Sequence, residues 1–103
     1  MNFDESIKKI TSKAKSLKFF AQKGFSESGK AMAMCGQEIA THEDYPDFVF
    51  VICSCMIYKG NHLDDSAYVI YNFNKNGDFI EEVDIKDLPS DFMAKRKPYM
   101  KIE

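Results

Sequence analysis

The chain has 103 residues, 45% hydrophobic and 29% charged, with nine Phe, five Tyr, no Trp and a net charge of −2. That length suits one domain, 1–103, able to bury about two thirds of its surface without disulfide or metal support, and the aromatic content excludes wholesale disorder. No apolar run reaches a bilayer-spanning length and MNFDESIKKI has no signal-peptide apolar core, so a cytoplasmic protein with its three cysteines reduced is expected.

The small net charge hides a partition. Residues 1–40 carry seven lysines against four acids, net +3. Residues 41–92 carry three lysines against eleven acids, net −8, and residues 93–103 return to +3. An acidic block between basic ends bears on partners rather than on fold.

Residues 2–23 read as an amphipathic helix. Phe3, Ile7, Ile10, Ala14, Leu17 and Ala21 recur at steps of four and three, within about 80° of one another on a helical wheel. Asn2 can cap this helix with Glu5 three positions on, Asp4 and Glu5 suit its positive end, Lys18 and Lys23 its negative end, and Gly24 stands at C′. Lys8, Lys9, Lys13 and Lys15 lie off the stripe as a solvated face, whereas Phe19, about 160° from Phe3, calls for a second element to cover it.

Residues 26–41 support two readings. Met32, Cys35 and Ile39 at helical spacing predict a second helix, weakened by Gly29 and Gly36; the run 30–36 (KAMAMCG) also alternates like a strand. After the Tyr45-Pro46 break, 47–58 (DFVFVICSCMIY) is apolar on both alternate sets. It therefore predicts a strand inside a sheet covered on both faces. Residues 59–65 (KGNHLDD) read as a loop and 66–75 as a strand.

Asn76-Gly77 then predicts a two-residue hairpin turn. The implied register sets Ile70 opposite Val83 and Phe73 opposite Ile80. It places Tyr68, Ile70, Val83, Ile85 and Phe79 against the helices, and Val69, Tyr71, Phe73, Ile80, Glu82 and Asp84 on the opposite face. Leu88-Pro89 ends that strand, Ser90-Asp91 can cap a single helical turn before Pro98, and the tail 99–103 can add a short edge strand. The fold class is α+β: one or two N-terminal helices packed on a three- to four-stranded antiparallel meander.

No catalytic or cofactor motif stands out. Cys53 and Cys55 share one side of a strand, which is not zinc-knuckle spacing, and core thiols are the simpler account. Cys35 with His42 as base, seven residues apart on a helix, would be separated by about 10 Å along its axis. His62 beside Asp64 and Asp65 belongs to a polar loop, and neither GxGxxG nor GxxxxGK[ST] is present. No metal and no cofactor are expected.

The expected function is non-enzymatic protein binding by a small inhibitor or immunity-type module. Its acidic and aromatic sheet face would dock a basic partner surface, such as that of a nucleic-acid enzyme. Glu81, Glu82, Asp84 and Asp87 supply charge, and Tyr71 and Phe73 the anchors. Two alternatives remain open: a nucleic-acid-binding regulator using the first helix and Lys95–Lys97, and a small hydrolase or metal protein using the Cys and His residues. Direct nucleic-acid binding fits an acidic domain poorly.

Overall fold

The computed structural model describes residues 2–27 and 29–102, and side chains outside 18–27. Phe19, and the charge complement of Lys18 and Lys23, therefore lie outside the described side chains. A helix, α1 (Phe3–Glu27), lies across a sheet of five antiparallel strands: β1 (Ala31–Thr41), β2 (Phe48–Lys59), β3 (His62–Asn74), β4 (Phe79–Val83) and β5 (Lys97–Ile102). Their spatial order is β4-β3-β2-β1-β5. The α+β class is as read from the sequence, with one more strand than expected.

Helix α1 starts where its cap predicts, with the Glu5 N–H donating to Asn2 Oδ1 at 2.9 Å. Its stripe is buried at Ile7, Ile10 and Ala14 and half-buried at Leu17. Gly24 does not end it. A single glycine costs a helix about 1 kcal/mol, too little to stop one, and the chain reverses instead at Gly29, whose φ is 82°.

Of the two readings of 26–41, the strand holds, over 31–41, and the second helix does not form. A bulge at Cys35, between the pairs Met34↔Cys55 and Gly36↔Ser54, explains the misreading. Before it, even-numbered Met32 and Met34 face α1; after it, odd-numbered Gln37 and Ile39 do. The one-residue shift breaks the period of two and leaves a spacing that imitates a helix. β2 is central, as its composition predicts, but only Val49–Cys53 is covered on both faces; Ser54 and Met56 are exposed.

Both hairpin turns differ from expectation. The two-residue turn is Gly60-Asn61, closed by the pair Lys59↔His62, so β3 begins four residues before the predicted strand and takes in most of the expected loop. The β3–β4 turn has three residues, Lys75–Gly77: Asn74 N–H donates to Asp78 O at 3.0 Å, and φ is positive at Gly77 but not at Asn76. Phe73 consequently pairs with Phe79 rather than Ile80. A bulge at Ile80 absorbs the extra residue and restores the predicted pair Ile70↔Val83, with Tyr71 opposite Glu82.

The largest correction concerns which face the helix covers. Helix α1 lies on Val69, Tyr71 and Phe73, together with Val49, Val51, Cys53 and Cys55. It does not lie on Tyr68, Ile70 and Val83. Gln37 Nε2 ties the two layers by donating to Ala14 O at 3.2 Å, and Lys9 pairs with Asp78 at 2.6 Å.

On the opposite face Ala40, Phe50, Ile52 and Ile70 pack beneath the segment joining β4 to β5. This segment comprises a 3₁₀ turn (Ile85–Asp87) and a four-residue helix, α2 (Phe92–Lys95). Arg96 fastens its end to β1 through Glu38, Nε to Oε1 at 2.5 Å. The tail forms β5 at the sheet edge, pairing with Gln37–Thr41.

Candidate docking face

Of the aromatic anchors expected from the sequence, Tyr71 is 3% exposed and Phe73 fully buried. The Tyr71 hydroxyl donates to Leu17 O at 3.5 Å. Burial is the main cause that pushes its phenol pKa well up, with Cys53 and Glu82 adding to it. These two rings hold the helix to the sheet and cannot meet a partner while α1 is in place. Phe79 bridges them and the surface, edge-on to both rings, with the Lys13 ammonium 5.7 Å from its centroid.

The four acids are brought to one side of the molecule, the β4 edge and the turn after it. Glu82 lies opposite Tyr71 on the helix side and Glu81 opposite Asn72 on the other. Asp84 caps the 3₁₀ turn, accepting from Lys86 N at 2.9 Å, and Asp87 lies within it. All four are exposed, and among the described residues none of them forms an ion pair.

A surface that sequence reasoning missed lies on the sheet face away from α1, beyond the reach of the 84–96 segment. Ser54, Met56 and Tyr58 of β2 sit there opposite Tyr68, Ser66 and Leu63 of β3, with Ala31 and Ala33 of β1 alongside. Met56 is 39%, Tyr68 44% and Leu63 60% exposed, and the Tyr58 hydroxyl donates to Met56 Sδ at 3.4 Å. The available signal was Ser54, the first polar residue in the apolar run. From there one face is no longer buried.

Two strand edges at this end are open. β4 pairs only with Ile70–Phe73 of β3, and β5 only with Gln37–Thr41 of β1. The β3 edge before Ile70 and the β1 edge before Gln37 therefore have no neighbouring strand among the described residues.

The Cys and His residues do not converge. Cys53 and Cys55 lie beneath the helix, Cys35 is exposed on β1, and His62 is exposed at a hairpin tip. Because the chain is extended as β1 up to Thr41 rather than helical, Cys35 and His42 stand roughly 23 Å apart, so this pair has no shared chemistry. His42 is buried, stacked on Phe92 at 4.9 Å, with Nδ1 accepting from Asp44 N at 3.1 Å. Its Nε2 and the Asn72 Oδ1 are buried without hydrogen-bond partners.

A cleft of about 510 Å³ opens between the first turns of α1 and the β1–β2 connection, lined by Phe3, Ile7, His42, Tyr45, Phe48 and Lys75 among others. Among the described residues no carboxylate and no cysteine lines it. No group of three or more His, Cys, Asp or Glu able to hold a metal occurs among the described residues.

The thiols give a direct check of this placement. Burial raises the Cys55 pKa, and the Cys35 thiolate would raise it further. Iodoacetamide on the native protein should add one label, at Cys35, with Cys53 and Cys55 reacting only after denaturation. Intact mass and peptide mapping read the result, and a second native adduct would contradict the packing.

No described helix is long and apolar enough to cross a membrane. No known family model, curated protein or solved structure matches the chain.

Proposed function

We propose that the protein is a non-enzymatic protein-binding module that docks a basic partner through the uncovered end of its sheet. One observation carries this reading. A single sheet face is sealed by Phe92 and its neighbours at one end, yet presents Met56, Tyr58, Leu63 and Tyr68 to solvent at the other. Clustered exposed apolar and aromatic side chains rimmed by polar groups mark interaction surfaces more often than solubilising ones.

Glu81, Glu82, Asp84 and Asp87 lie along the adjoining β4 edge and turn, with Glu82 on the helix side, and their combined field favours a basic complementary surface. An inhibitor occupying the phosphate channel of a nucleic-acid enzyme would use this chemistry. The odd count of three cysteines, two of them buried in the core, fits a reducing, cytoplasmic setting. Direct nucleic-acid binding by the basic ends has less support, because Lys9, Lys95 and Arg96 are already engaged with Asp78, Asp91 and Glu38.

A photo-crosslinking residue at position 68 tests the reading in the host cell. A specific adduct with a protein of basic surface is expected, absent when the crosslinker replaces Ser12 on the exposed side of α1. With that partner purified, Glu82→Lys plus Asp84→Lys should slow association about tenfold or more at low salt. Tyr68→Ala should instead speed dissociation. Equal adducts from positions 68 and 12, or wild-type rates in both variants, would overturn the proposal.

A further inference from the structure

The open edge of β3 points to how a partner engages. We infer that the partner supplies an extended segment, apolar and basic at alternate positions, which adds to Asp65–Val69 of β3 as a strand in line with β4; this rests on the docking role proposed above. β4 ends at Val83 opposite Ile70, and the chain then turns away into the 3₁₀ turn. Among the described residues no strand continues the β4 row beside the preceding residues of β3, where the 3₁₀ turn touches β3, while β3 itself stays paired to β2 along that length. A bulge at Asp64, between the pairs Ile57↔Asp65 and Tyr58↔Leu63, closes the regular stretch at its far end. Backbone N–H and C=O groups of alternate residues along such an edge point outward and template another strand.

The pleat specifies the occupant's side chains. Asp65, Ala67 and Val69 face the helix side, and Glu82, at the end of the adjoining β4 row, faces the same way. Side chains of an added strand on that side lie between two carboxylates, which favours lysine or arginine. On the other side they lie beside Tyr68 and over the small Ser66, whose partner across the ladder is the exposed Met56. That side favours apolar residues. A second copy of this chain fits worse, because edge-to-edge pairing would join two acidic edges on one sheet.

The test uses the full-length protein and a blocked nine-residue peptide alternating valine and lysine, with a valine–glutamate peptide as control. On adding the valine–lysine peptide, the outward amides among Asp65–Val69 should slow in hydrogen exchange by tenfold or more. The glutamate peptide should leave them unchanged. Methylating alternate backbone nitrogens of the peptide should abolish the effect in one phase and not in the other, since an added strand pairs through one edge only. Asp65→Lys plus Glu82→Lys, both exposed positions, should weaken binding at least tenfold with unchanged circular dichroism.

Shifts at Met56 and Tyr68 without amide protection would overturn strand addition and leave the docking face standing. No response to the peptide at millimolar concentration would also overturn it, while crosslinking at position 68 judges the docking role separately. A dimer of the protein alone with these amides already protected would overturn it in favour of a second copy.

Discussion

Phe92→Ala should cost about 3–5 kcal/mol of stability, the range for emptying a buried aromatic site. Phe92 is 1% exposed, although it sits on a helix of four residues, far too short to hold itself together. Its ring is edge-on to Phe50 at 5.1 Å and stacked on His42 at 4.9 Å, with Tyr45 at 6.1 Å. It thus pins the whole 84–96 segment over Phe50, Ile52 and Ile70. Losing it leaves those residues under a cover held by the partly buried Ile85, Leu88 and Met93 and by the Arg96–Glu38 pair. Urea titration should show a much lower midpoint, and the melting temperature should fall by about 12 °C or more for a chain of this size. A loss below about 1 kcal/mol would mean that the segment is held by something other than this ring.

Gly77→Ala is the second large effect, and Gly60→Ala is its internal control. Both glycines have positive φ, 87° and 64°, so alanine at either costs about 1–2 kcal/mol in backbone strain. At Gly60 nothing lies within 4 Å of the added Cβ, and the cost stops there. At Gly77 the Cβ would stand 2.8 Å from Ser6 O and 3.1 Å from Lys9 Cβ. The hairpin turn and the first turns of α1 cannot both keep their places. Gly77→Ala should therefore destabilise by roughly 3–4 kcal/mol, with the excess over Gly60→Ala measuring the contact between turn and helix. Equal losses at the two sites would show that α1 does not press on this turn.

The acidic block was legible as composition, and its meaning changed once the chain was folded. Asp64, Asp78 and Asp91 are engaged with Lys30, Lys9 and Lys95, whereas Glu81, Glu82 and Asp87 are left to solvent at one edge. Charge counting could not separate these two groups, because the pairs with Lys9 and Lys30 join residues far apart in sequence. The anchors were misplaced for a related reason. Tyr71 and Phe73 lie beside acids in the pleat and so looked exposed, yet the aromatic side of β3 is the one that the helix covers.

By itself the sequence determined the features set by neighbours a few residues apart. These are the capped N-terminal helix and its stripe, the central strand, the turn near Gly77, the Ile70↔Val83 register and the edge strand at the tail. Tertiary structure alone decided what depends on distant segments. Alternation in β3 is nearly symmetric, with Tyr68, Ile70 and Val83 on one side as apolar as Val69, Tyr71 and Phe73 on the other, so only the docking of α1 selects a face. The strand character of β1 was hidden by its bulge at Cys35, since a one-residue slip erases the period on which a strand is recognised. The candidate docking face is left uncovered because the 84–96 segment, coiled into a 3₁₀ turn and a four-residue helix, spans less distance than the extended strands of 12 and 13 residues beneath it. That mismatch of lengths appears only when the strands are laid side by side.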